Sequence, residues 1–218
     1  MRMSTDGLMA LIGHEGIVQS RYKDSVGVWT VGVGHTAAAG HPDPAKMTGE
    51  MTVSEVLGLL RHDIRKYEDG VNRAVNVPLK QHEFDALVSF HYNTGAIGRA
   101  SFVKLLNAGD RAGAMRRIMD WRKPAEIIPR RTAERDLFKT GKYPAPYATI
   151  YPATASGSVQ WSKGRRVYLP DLLGAPHSAP SAPAKPSPAP KPAQPAPAAP
   201  EPAMGFWARL FATLFGRN

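Results

Sequence analysis

After Leu173 the chain loses the means to build a core. From Gly174 to Ala203 it is almost wholly Ala, Pro, Ser and a few Lys (PSAPAKPSPAPKPAQPAPAAPEPA). Such a stretch has too little apolar surface to offset the entropy of ordering its backbone, and its prolines keep it extended, so a semi-rigid spacer is expected. Apolar residues return in 204–218, MGFWARLFATLFGRN. Wound as a helix, this segment would place Phe206, Trp207, Leu210, Phe211 and Leu214 on one side and Arg209 and Thr213 on the other. The 218 residues therefore divide into a domain of 1–173, a size that one core can organise, a linker of 174–203 and an amphipathic helix of 204–218.

The chain has no cysteine, which excludes disulfides, zinc–thiolate sites and thiol nucleophiles. Its 28 Lys and Arg against 18 Asp and Glu give a formal charge of +10, which directs it toward a polyanion: nucleic acid, anionic lipid or the acidic cell wall. Arg116, Arg117, Arg122, Lys123, Arg130 and Arg131 concentrate that charge. No helix-turn-helix, zinc finger or base-stacking sheet motif accompanies them, so nucleic acid is not the expected partner. The histidines show no H-E-x-x-H or comparable ligand spacing, and neither a metal nor a cofactor is expected. Gly32-Val-Gly34 lacks the third glycine of a dinucleotide fingerprint and reads better as backbone open to close approach. Gly7 to Gly13 is too short, and too soon interrupted by His14 and Glu15, for a secretory signal. A monomer that accumulates in the cytoplasm is the expectation.

Periodicity makes the first 173 residues α+β: a small N-terminal antiparallel hairpin or sheet, then a mainly helical lobe. Leu8, Met9, Leu11 and Ile12 follow the candidate caps Ser4 and Thr5 in a short helix that ends near Glu15, with Gly16 as its stop. Residues 18–34, rich in β-branched and aromatic side chains and broken at Ser25 to Gly27, predict a hairpin. Thr52-Val-Ser-Glu55 is a capping box for a helix carrying Val56, Leu57, Leu60, Ile64 and Tyr67. Further helices are expected at Lys80 to His91, Ser101 to Leu106 and Asp110 to Trp121, and another opens at Pro129 and closes at Gly141. Residues 151–173 read as a hairpin turning at Lys163-Gly164.

The chemistry concentrates in 14–36, HEGIVQSRYKDSVGVWTVGVGHT. Eight residues separate Glu15 from Asp24 and five separate Asp24 from Thr30. Hydrolysis of a glycosidic bond needs one protonated carboxyl to donate to the leaving oxygen and one ionised carboxyl to assist water or stabilise positive charge. A carboxyl ending a helix and another across a hairpin can face each other over a cleft.

This segment resembles the signature of the phage-type lysozymes, the glycoside hydrolase family of the T4 and lambdoid phage enzymes. Ala86-Leu-Val-Ser-Phe-His-Tyr-Asn-Thr-Gly95 and Ile128-Pro-Arg-Arg-Thr-Ala-Glu-Arg-Asp-Leu-Phe138 are similar to two further motifs of that family, in the same order. The resemblance covers about residues 4–143. It implies a lysozyme-like fold and an inverting muramidase that cleaves the β-1,4 bond between N-acetylmuramic acid and N-acetylglucosamine in peptidoglycan, leading to host lysis after release through a holin-type pore. It implies Glu15 as general acid, Asp24 to position or activate the attacking water and Thr30 to hold it. It also implies Arg130, or its neighbour Arg131, as the partner of Glu15, and His35 with Asp63 as a structural pair. Asn93 would contact substrate, with Tyr92 either packing below it or lining the groove. Residues 204–218 would draw the enzyme to an anionic membrane surface. The rival reading keeps the fold without the chemistry, as a peptidoglycan-binding scaffold recruited to a membrane by its tail.

Overall fold

The computed structural model describes residues 1–172; the expected linker at 174–203 and helix at 204–218 lie outside the described residues. The first helix, α1 (Thr5–Glu15), is capped by Ser4, whose hydroxyl accepts from Gly7 N, and is closed by Gly16 at φ 72°. Leu8, Leu11 and Ile12 are buried, and one further turn along the same stripe comes Glu15. Helical spacing thus carries a carboxyl onto a face otherwise given to the core.

The chain then forms β1 (Val18–Lys23), β2 (Trp29–Gly32) and β3 (His35–Thr36), an antiparallel sheet in the order β1-β2-β3. Tyr22 stands opposite Thr30 and Lys23 opposite Trp29. The turn between β1 and β2 is tied by Asp24 N to Val28 O at 3.0 Å and Gly27 N to Asp24 O at 3.0 Å.

The helical lobe follows. The capping box at Thr52 and Glu55 is formed and opens α2 (Val53–Asp63); α3 (Arg65–Ala74) continues from it. One periodic stretch is thus split at Ile64, a fully buried corner residue whose carbonyl still accepts from Tyr67 and Glu68. No proline or glycine marks that corner. Next, α4 (Gln81–Thr94) is buried continuously from Glu83 to Phe90, as expected of a helix surrounded by its own domain. Around it lie α5 (Ser101–Asn107), α6 (Arg111–Arg117) and α7 (Ile128–Thr140). Pro129 stands in the first turn of α7 and Gly141 ends it at φ 70°. No helix among the described residues is long and apolar enough to cross a membrane.

The expected hairpin at 151–173 is corrected. β5 (Arg165–Tyr168) pairs not within that stretch but with β4 (Tyr147–Ile150), in the register Tyr147 to Tyr168 and Ile150 to Arg165. Lys163-Gly164 therefore ends a long connection rather than forming a tight turn. The pairing is set by burial: Ala148, Ile150 and Val167 face the core, a pattern that Pro144 and Pro146 obscure from upstream. A last turn, α8 (Leu169–Leu172), puts Leu169 at 0 % exposure. The ribbon is thus part of the folded domain. Leu169→Ala should destabilise the protein by about 2–5 kcal/mol, the usual range for emptying a buried leucine site. Urea unfolding that left the midpoint unchanged would show the ribbon to be independent of the core.

Candidate active site

Glu15 ends α1 at 3 % exposure. Arg130 Nη1 donates to Glu15 Oε1, while Oε2 is buried and has no hydrogen-bond partner among the described residues. Of the two adjacent arginines, the first is therefore the partner. Arg130 Nε also reaches Glu134 Oε1 at 3.0 Å, and Nη2 donates to Ser89 O at 3.2 Å. Arg131 turns the other way: it pairs with Glu134 Oε2, donates to Asn93 Oδ1 at 2.7 Å and to Trp121 O at 3.1 Å, and lies over the Phe90 ring. Two arginines and two glutamates thus balance inside the domain.

Burial works against every charge in this network, and the outcome differs by residue. For Arg130 it is outweighed by Glu15 and Glu134, which hold the guanidinium above its ordinary pKa. For Arg131 burial prevails and the pKa falls. Glu134 is lowered because Arg131 and Arg130 overcome its desolvation.

The hairpin carries the other two candidate residues, Asp24 in its turn and Thr30 in β2. Asp24 Oδ1 accepts from Val26 N at 3.0 Å and Val28 N at 2.9 Å, so the carboxylate is held by its own turn. Thr30, buried, donates to Val28 O at 3.0 Å, and its hydroxyl keeps acceptor capacity. Tyr22 connects the two sides. It is fully buried, and its phenol is pushed well above its ordinary pKa by burial first, then by Glu15 and by Asp24. Both carboxylates therefore act on one side chain. Sequence reasoning did not single out Tyr22 as a site residue; strand alternation, which sets it two residues before Asp24 and opposite Thr30, is the signal that marks it.

The remaining expected residues are placed as follows. Tyr92 is half-buried: its hydroxyl donates to Val33 O and its ring lies 4.9 Å from that of Tyr67. Asn93 is buried at 4 % exposure, with Oδ1 engaged by Arg131 and Nδ2 without a partner among the described residues. Its Oδ1 thus joins it to the charge network. His35 Nδ1 meets Asp63 Oδ2 at 2.8 Å and Nε2 meets Pro42 O at 2.8 Å. Ser89 and Glu134 went unremarked in the sequence, although Ser89 lies within the 86–95 motif and Glu134 within the 128–138 motif.

The Phage lysozyme family matches residues 12–134, more than half of the chain. The chain is similar to the endolysin of Salmonella phage P22, at 34 % identity over 63 % of this chain and 98 % of that protein. It is similar also to the SAR-endolysin of Escherichia phage Mu, at 36 % identity over 51 % of this chain and 63 % of that protein. Among solved structures, the endolysin from Escherichia coli O157:H7 phage FAHEc1 superposes with a TM-score of 0.60 at 34 % identity, covering 66 % of this chain and 97 % of that one.

His14 stands beside this network and is held neutral. Burial, then Arg130, lowers its pKa from 6.5 to about 4. Between those values the unfolded chain binds a proton that the folded one does not, so stability falls as pH drops from about 6.5 toward 4. At pH 4.5 the loss traceable to His14 should approach about 2 kcal/mol. His14→Gln should flatten that part of the profile in urea unfolding at a series of pH values; an unchanged slope would contradict it.

Proposed function

The chain belongs to the phage lysozyme family and is a glycoside hydrolase that degrades peptidoglycan in lysis; on that premise we propose how its residues divide the chemistry. Glu15 is the general acid. Its Oε2 carries the proton and gives it to the glycosidic oxygen between N-acetylmuramic acid and N-acetylglucosamine as the C–O bond breaks. A water held by Thr30 attacks the anomeric carbon from the opposite face while Asp24 takes its proton. Glu15 finishes as the carboxylate and Asp24 as the acid, and exchange with solvent resets both. The sum is addition of one H2O with inversion.

The observation that carries this reading is the inequality of the two Glu15 oxygens: Oε1 is anchored by Arg130, and Oε2 is buried without a partner. The entering glycan excludes water from this pocket, so that the proton passes directly from Oε2 to the leaving oxygen. Arg130 is the anchor, and Tyr22 separates the two carboxyl-bearing segments. Asn93 holds Arg131 in place, Tyr92 supports Val33, and His35 with Asp63 ties the end of the sheet to α2.

Glu15→Gln should lower turnover on purified peptidoglycan at least ~100-fold, with the fold intact by circular dichroism. The products should be reducing muramic acid ends, with the α-anomer first by NMR. Full activity in the variant, or anhydro ends from the native protein, would refute the scheme.

We further propose that the enzyme, a monomer, is held in the host cytoplasm until a holin-type pore admits it to the wall. The aromatic and basic sequence of 204–218 then recruits it to anionic lipid. In liposome flotation, the full chain should bind phosphatidylglycerol vesicles at least ~10-fold more strongly than a chain ending at Gly174, a gain of the size that linking two binding elements gives. Equal binding would remove the tail from the account.

A further inference from the structure

The family match ends at Glu134, and the β4–β5 ribbon with its connection 151–164 lies beyond it. This ribbon grips the backbone that carries both carboxyl groups. Two residues past Glu15, Ile17 donates its N–H to Thr149 O at 2.9 Å, and its carbonyl accepts from Tyr151 N at 2.8 Å. Glycines on either side of Glu15 make the approach possible. A Cβ on Gly13 would lie 2.9 Å from Tyr147 O, and one on Gly16 2.9 Å from the Tyr151 ring.

At the other end, Lys23, the residue before Asp24, donates its N–H to Gly157 O at 2.8 Å. Gly157 has φ 92°. A Cβ there would stand 2.7 Å from Trp29 Cζ3 and 3.1 Å from Lys23 N. No residue other than glycine fits between the connection and the hairpin without moving one of them.

β1 is an edge strand, and a short hairpin with an open edge is marginal by itself. The middle of that edge is covered by Met51 N on Gln19 O and by the bridge of Ser20 to Glu50. Its two ends are covered by the ribbon. The Asp24 turn has little else to hold it: Val26 is 66 % exposed and Val28 45 %. The amides of Val26 and Val28 fix the Asp24 carboxylate relative to its own turn, and leave open where that turn stands relative to Glu15.

We propose that residues 147–158 are a built-in clamp that sets the Asp24 turn against Glu15, with Gly157 as a positioning residue acting through the bond its carbonyl accepts from Lys23 N–H. The inference rests on the catalytic roles assigned above. It makes catalysis in this chain depend on a segment outside the matched family region. Two carboxyl groups working on one bond tolerate little displacement; a shift of ~1 Å can cost ~100-fold in rate.

The test uses the full chain and four variants: Glu15→Gln, Gly157→Ala, Trp29→Phe and Gly157→Ala with Trp29→Phe. Phenylalanine keeps a ring beside Arg21 while removing the outer indole atoms that a Cβ at 157 would strike. Steady-state turnover on solubilised glycan strands is taken per folded molecule, measured by circular dichroism. Gly157→Ala should lower kcat ~10-fold or more with KM within ~3-fold, and Trp29→Phe alone should stay within ~3-fold of the native kcat. The double variant should recover only part of the loss, at least ~3-fold over Gly157→Ala, because the indole clash is relieved while the φ of 92° and the 3.1 Å approach to Lys23 N remain. Native kcat in Gly157→Ala, or a double variant no faster than Gly157→Ala, would overturn the clamp. An active Glu15→Gln would instead bring down the catalytic assignment, and the two failures are read separately.

Discussion

The contact between Glu15 and Arg130 joins parts of the domain that would otherwise meet only through apolar packing. Glu15 closes α1, Ser89 and Asn93 belong to α4, and Arg130, Arg131 and Glu134 belong to α7, yet they form one hydrogen-bonded, charge-balanced group. A buried ion network of this kind is poor evidence for stability, since apolar side chains of equal volume often serve as well or better. Its physical effect is to fix position. Arg130 can satisfy Glu15, Glu134 and the Ser89 carbonyl together in only one arrangement of the three helices, because its guanidinium is planar and its donors diverge at set angles.

Much of this was readable from the sequence, and for identifiable reasons. Ser4, the Thr52–Glu55 box, Pro129 and Gly141 mark helix ends by local chemistry, and the structure uses each as that chemistry requires. Glu15, Asp24 and Thr30 stood out because 14–36 resembles the phage-type lysozyme signature; their spacing alone, across a helix stop and a hairpin turn, would not have singled them out. What stayed hidden was long-range. The 128–138 motif could not say which of two adjacent arginines turns toward α1, because one step along a helix changes the direction by ~100° and only packing decides which is inward. Asn93 was expected to contact substrate on the strength of the resemblance alone; its bond to Arg131, which is distant in the chain, had no local signal. The β4–β5 pairing escaped because its connection is long and the prolines before β4 read as loop.

The ribbon and the charge network act on the same short segment from opposite sides. Arg130 reaches the Glu15 side chain from the helical lobe, while Thr149 and Tyr151 hold the backbone just past it, at Ile17. Gly13 and Gly16 admit the second contact, at some cost in helical stability, since glycine inside α1 gives up about 0.5–1 kcal/mol relative to alanine. That a helix so well capped keeps a glycine at position 13 follows from the carbonyl of Tyr147 lying where a Cβ would be.

Among the described residues, Glu15 Oε2 and Asn93 Nδ2 are buried and make no hydrogen bond, and both belong to residues of this one network. Leaving such an atom unmet usually costs about 1–3 kcal/mol. A network with this many donors could meet a carboxylate at both oxygens: Arg130 offers a forked pair of N–H groups, the arrangement that commonly engages both. Here the fork is divided, with Nη1 on Glu15 and the other donors on Glu134 and Ser89. In the proposed mechanism Glu134 matters because it draws the rest of the guanidinium away, so that Arg130 engages one oxygen of Glu15 where a bidentate clasp would occupy both.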